Sequence, residues 1–154
     1  VSVSGSVLGE IDAGDDVAVN GEVKGDIDAG DDVAVNGSVG GDIESGGDCS
    51  VNGEIQGDIS VGGDCSICGK ISGDIDCGGD CDINGDIDGD IDCGGDCTVG
   101  KKDCDDRHIS GNVNVGGDCT LYADVDGDVT VGGKLTYRGK IGGRINADCV
   151  IIVT

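Results

Sequence analysis

The chain has 154 residues with 32 acidic and 9 basic side chains, a net charge of −23. Such a charge makes nucleic acid and anionic membrane surfaces poor partners, and no apolar run reaches the ~20 residues that a transmembrane segment needs. With 33 Gly, 10 Cys, two Tyr and neither Phe nor Trp, there is no aromatic core to build, and composition alone would suggest disorder.

The order of the residues says otherwise. Glycines at Gly9, Gly25, Gly41, Gly57, Gly73 and Gly89 fall 16 apart, and the same phrase follows each one. Gly25-Asp26-Ile27-Asp28-Ala29-Gly30-Asp31-Asp32-Val33-Ala34-Val35-Asn36-Gly37 is one copy, and Gly73 to Gly85 is another. A fixed period of this size marks stacked repeats, each too small to bury its own apolar face. Disordered chains do not hold Val and Ile at fixed offsets through nine repeats.

Counting from the leading Gly as zero, apolar or small residues stand at offsets 2, 4, 8, 10 and 14, as Ile27, Ala29, Val33, Val35 and Val39 do. Spacings of two are strand alternation. Each repeat therefore holds a strand at 2–4, a second at 8–10 and a third at 14. Gly-Gly-Asp or Gly-Asp-Asp, Asn-Gly and the next Gly supply three corners. The expected fold is all-β, a single-domain three-sided parallel β-helix of 16 residues per coil and about nine coils over residues 1–154. At roughly 4.8 Å per coil, the rod would be on the order of 45 Å long.

Along the chain, offset 2 runs from Ile11 through Ile27, Ile43, Ile59, Ile75, Ile91, Val113 and Val129 to Ile145. Offset 10 runs from Val3 to Leu121, Tyr137 and Val153. Offset 8 passes from Val17 and Val33 into Cys49, Cys65, Cys81, Cys97 and Cys119, then Leu135 and Ile151. On this count Ile151 and Val153 point inward and Val150 and Ile152 outward. Between Val99 and Ile109 the register slips by six residues, which places a loop insertion at 100–108.

Cysteines on inward ladders read as small, reduced hydrophobes. A sharper alternative staples Cys77 to Cys81 and Cys93 to Cys97 across a corner. Cys68, Cys104 and Cys149 fall at turns or loops and are the candidates for reactivity. No paired CxxC knuckles and a single His argue against zinc.

Aspartates recur at offsets 1, 3 and 7, so stacking makes carboxylate columns that repel one another. They read as a solvated face that blocks lateral aggregation, as adaptation to high salt, or as oxygen ligands for Ca²⁺. Asp74, Asp76, Asp90 and Asp92, in the densest acidic stretch, are the candidate metal ligands; no other cofactor is expected. His108 lies in a polar insertion without partner histidines, and the 18-residue coils of β-helix acyltransferases do not match this period, so no enzyme is expected. Ice binding would want Thr ladders, and offset 9 becomes Thr only late, at Thr98, Thr120 and Thr136.

Val35-Asn36-Gly37-Ser38-Val39-Gly40-Gly41-Asp42-Ile43 and Val51-Asn52-Gly53-Glu54-Ile55-Gln56-Gly57-Asp58-Ile59 resemble the repeats of bactofilins, polymer-forming cytoskeletal proteins. The likeness covers nearly the whole chain. It implies a right-handed β-helix that polymerises end to end without nucleotide. The Cys ladders, the acidity and the insertion depart from that pattern.

The residues support assembly independently. A β-helix end is a ring of unpaired strand edges over exposed core, which must be capped or paired. The chain opens in strand register with Val1, Val3 and Val7 and closes with Val150, Ile151, Ile152 and Val153, and no amphipathic cap helix is expected at either end. Residues 1–133 carry 31 acids and 5 bases, whereas 134–154 carry one acid and 4 bases. The expected function is a structural protein that assembles with itself into a cytoplasmic or, alternatively, extracellular filament. The competing expectation is a calcium-binding secreted or cell-surface module.

Overall fold

The computed structural model describes residues 1–101 and 107–153. It is all-β, a parallel sheet of stacked coils forming a β-solenoid of about nine turns. Three ladders run its length, one per face.

The first ladder stacks Ile11, Ile27, Ile43, Ile59, Ile75, Ile91, Val113, Val129 and Ile145 in parallel register. The second stacks Val3, Val19, Val35, Val51, Ile67, Ile83, Val99, Leu121 and Tyr137. Its strand also carries the cysteine column at offset 8. The third is thinner: Val23, Val39, Ile55, Ile71, Ile87, Ile109, Val125 and Ile141 meet mostly through single parallel bridges. β-Branched side chains suit these faces because each buries one side of a pleated strand against two identical neighbours.

All three ladders point into one continuous core. Ile27, Ile43, Ile55, Ile71 and Ile87 are fully buried, and Ser45 is the one buried polar side chain among the described residues. Its Oγ donates to the corner carbonyls of Asp31 at 2.7 Å and Asp48 at 3.2 Å, so no hydrogen-bonding capacity is stranded. Each fully covered Ile or Val contributes about 1.5–3 kcal/mol of transfer free energy.

Two details correct the sequence reading. His108 is not in a loop: with Ile109 it forms a short strand paired to Asp124 and Val125, its N–H donates to Asp86 Oδ1 at 3.1 Å, and its Nε2 lies 3.3 Å from Asp126 Oδ2. The coil has resumed by residue 108; the rest of the insertion, including Cys104, falls largely outside the described residues.

The second correction lies in the last coil. Ala147 still pairs with Val131, but Cys149 pairs with Lys134, Val150 with Leu135, Ile151 with Thr136 and Ile152 with Tyr137. Ala147-Asp148-Cys149 replaces Val131-Gly132-Gly133-Lys134, so this corner closes with one residue fewer. Because side chains alternate, that single residue exchanges the two faces. Val150 and Ile152 continue the inward columns of Leu135 and Tyr137, and Ile151 and Val153 do not.

Replacing Ile75 by Asp puts an unpaired charge into the continuous aliphatic column and should unfold or fragment the rod, while Asp76→Ser, exposed on the same strand, should change little. Ile75→Ala should cost about 2–5 kcal/mol. Thermal melts followed by circular dichroism check all three.

Candidate functional site

The acidic columns are built by a two-residue device. At offsets 0–1 and 6–7 the sequence is Gly-Asp or its equivalent, and each Asp side chain turns along the rod toward the next coil. There its Oδ1 accepts the backbone N–H of the Asp one coil on. Asp42, Asp58 and Asp74 accept from Asp58, Asp74 and Asp90 at 2.9, 2.8 and 2.7 Å. Asp48, Asp64 and Asp80 accept from Asp64, Asp80 and Asp96, each at 2.8 Å. A corner amide has no strand partner, and a charged acceptor is a strong substitute.

The glycines make this possible. A Cβ on Gly79 would collide with Asp64 Oδ1, and one on Gly73 with Asp58 Oδ1. Each Gly-Asp pair thus combines space for the carboxylate below with an N–H for it to bind. Asn112 substitutes once: its N–H donates to Asp90 Oδ1 at 2.6 Å and its own Oδ1 accepts from Asp128 N–H at 2.8 Å. The column needs the oxygen more than the charge.

Of the four candidate metal ligands, Asp74 and Asp90 belong to the first column and use Oδ1 in this way. Asp76 and Asp92 are register partners on the outward face of the neighbouring strands, and Asp92 Oδ1 accepts from Asn114 Nδ2 at 3.3 Å. Among the described residues, no three His, Cys, Asp or Glu side chains converge as a metal site. A groove of about 730 Å³ runs beside the second column, edged by Asp32, Asp48 and Asp64 and floored by Ala34, Ser50 and Ser66.

Near the C-terminal end the columns finish on bases. The first reaches Arg144, whose N–H donates to Asp128 Oδ1 at 2.7 Å while its guanidinium grips Oδ2 at 2.7 and 3.1 Å. The second reaches Lys134, whose N–H donates to Asp118 Oδ1 at 2.8 Å with Nζ 3.5 Å from Oδ2. At the third corner Lys140 N–H donates to Asp124 at 2.7 Å. The Arg144 side chain holds the Asp128 carboxyl below its usual range, and the Lys134 amide does the same for Asp118. These pairs are exposed, so each contributes little stability. What they set is charge: the acidic columns end in a basic collar.

Beyond the collar lies the terminal coil. Val150, Ile151 and Ile152 are 45, 44 and 64% exposed and Ile145 38%. At the other end Val1 is 58% and Leu8 80% exposed, while Val3 and Val7 pack partly against the core. Both ends of the stack therefore present apolar side chains together with strand edges.

The cysteines in the described residues are all free thiols. Cys49, Cys65, Cys81, Cys97 and Cys119 form one buried in-register column, and Cys77 and Cys93 are register partners on the stacked strands of the first ladder. Cys77 Sγ donates to the Gly63 and Asp80 carbonyls at 3.3 Å, as Ser45 does two coils earlier. The hydrogen bonds that push the Cys49 and Cys81 thiols far up pull their shared partner Cys65 down, a bond to Cys119 raises Cys97 and one to Cys97 lowers Cys93, while burial raises them all. Cys68 and Cys149 are exposed.

No helix among the described residues is long and apolar enough to cross a membrane. Comparison with protein-family models, with curated proteins and with solved structures finds no match for this chain.

Two outcomes follow. Asp74→Ala removes an acceptor from the Asp90 N–H and should cost about 1–2 kcal/mol, whereas Asp74→Asn keeps the oxygen, relieves repulsion and should raise the melting temperature at low salt. Denaturant titrations at two ionic strengths measure both. The raised thiols bind their protons more tightly folded than unfolded, so their contribution is complete below the unfolded Cys range and is lost as pH rises above about 8.5. Urea titrations from pH 7 to 10 should show that decline, and Cys81→Val/Cys97→Val should flatten it.

Proposed function

We propose that this chain is a structural protein that assembles end to end into filaments, coil stacked on coil, in the manner of bactofilins and without nucleotide. The observation that carries the reading is the terminal coil: Val150 and Ile152 continue the inward columns of Leu135 and Tyr137 yet stand exposed. A second copy supplies what these columns lack. Val1, Val3, Val7 and Ile11 at its opposite end have the same strand direction, spacing and side-chain type.

Magnitudes make the joint feasible and sensitive. Covering several aliphatic side chains yields about 1.5–3 kcal/mol each, and pairing a ring of strand edges adds to it. Lost translational and rotational freedom opposes association by an estimated 4–15 kcal/mol. Charge favours a head-to-tail order, since the collar of Lys134, Lys140 and Arg144 meets an end whose nearest acids are Glu10, Asp12, Asp15 and Asp16. The remaining acidic faces repel sideways and keep growth axial.

Val3→Lys or Ile152→Asp should leave a folded chain that no longer polymerises, because Val3 is only partly buried and Ile152 is exposed at the ends of their columns, so the charge weighs on the joint far more than on the interior. Sedimentation velocity and negative-stain microscopy read the result. Wild-type protein that stays monomeric at high concentration across salt conditions overturns the proposal.

A further inference from the structure

The buried thiols are the feature that neither the fold nor end-to-end assembly accounts for. Val fills the same position in the coils before the cysteine column, at Val17 and Val33, and Leu135 follows it. Likewise Val61 and Val115 flank Cys77 and Cys93 on their ladder. Packing is satisfied by aliphatic residues at both positions, so sulfur is not required to fill the core. The thiols are also contiguous: five successive coils carry one at offset 8, each in register with the next.

We propose that this column is a binding site for soft monovalent d¹⁰ cations, Cu(I) in particular, each held between one pair of stacked thiolates. In-register parallel strands keep like side chains at the coil spacing of about 4.8 Å. A disulfide needs Cβ atoms about 3.5–4.5 Å apart, so the spacing does not favour vertical disulfides. Two metal–thiolate bonds of about 2.3 Å laid end to end span about 4.6 Å, which matches one coil step. Coordination number points the same way. No three donors converge among the described residues, which disfavours tetrahedral zinc, while soft thiolates in pairs suit Cu(I).

Charge and proton balance are also acceptable. Each bound thiol breaks its S–H bond, releases the proton to solvent and forms S–metal bonds, and no electrons are transferred. One cation per pair of successive thiolates, Cys49 with Cys65 and Cys81 with Cys97, leaves one net negative charge for each filled pair, half of what two isolated thiolates would bury. Cys77 and Cys93, hydrogen-bonded to corner carbonyls beside Cys81 and Cys97, are reserve donors at its centre.

The test loads the full reduced chain anaerobically by refolding it with Cu(I), with Ag(I) as a redox-inert probe in parallel. A Cu(I) chelator then strips surface metal, and retained metal is measured by mass spectrometry alongside thiolate-to-copper absorption. The Cys68→Ser/Cys104→Ser/Cys149→Ser variant should retain at least two cations per chain, as the wild type does. Cys81→Val/Cys97→Val should lose at least half of them while its metal-free form keeps the wild-type circular dichroism, because Val is native to that column. Should that variant fail to fold, Cys65→Val alone interrupts the column and gives the same reading. The proposal is overturned by chelator-resistant metal that depends on Cys68, Cys104 or Cys149, by no retained metal, or by intramolecular disulfides in place of metal uptake.

Discussion

The hydrogen bond from a corner amide to the carboxylate one coil below is the constraint on which this rod depends. Strands pair through their backbones whatever the side chains are, but corners do not. At two corners of most coils an N–H would face solvent without a partner, and the Gly-Asp pair supplies both the acceptor and the room for it. A chain that repeats this device must be rich in Asp and Gly. The composition that resembles a disordered segment is the consequence of a closed hydrogen-bond scheme.

The same device sets the electrostatics. Stacked carboxylates repel, and each added coil adds charge, yet those of the two corner columns are each engaged by a backbone N–H that partly offsets the repulsion. Asn112 shows that the oxygen alone suffices at a corner, so the hydrogen-bond scheme does not itself require the charge. The carboxylates give the sides of the rod one sign of charge, while Lys134, Lys140 and Arg144 reverse the sign where the columns finish. Repulsive flanks and apolar ends are what the proposed end-to-end assembly would require.

Much of this was legible in the residues. Val and Ile at alternate positions, glycines at a fixed interval and the absence of Pro specify parallel coils and name the inward columns, because one face of every strand must be buried. Columns of Asp were visible too, but their partner was not: the bond joins residues 16 apart through a backbone N–H, which leaves no mark on sequence except that Gly precedes Asp. The last coil departs from the 16-residue count for a physical reason. Counting by 16 assumes that each corner has the same length, and Ala147-Asp148-Cys149 lacks the Gly-Gly of its predecessors, so Val150 and not Ile151 takes the inward place. The place of His108 in a strand is hidden similarly, since an insertion can be counted but not located within a polar stretch.

Axial stacking of coils is the claim on which the functional account rests, and fibre diffraction from an oriented pellet of the assembled protein tests it most directly. If rods join end to end with their ladders continuing across the joint, the strand spacing of about 4.8 Å lies along the fibre axis as a meridional reflection. The same reflection on the equator, or its absence from ordered fibres, would contradict the account.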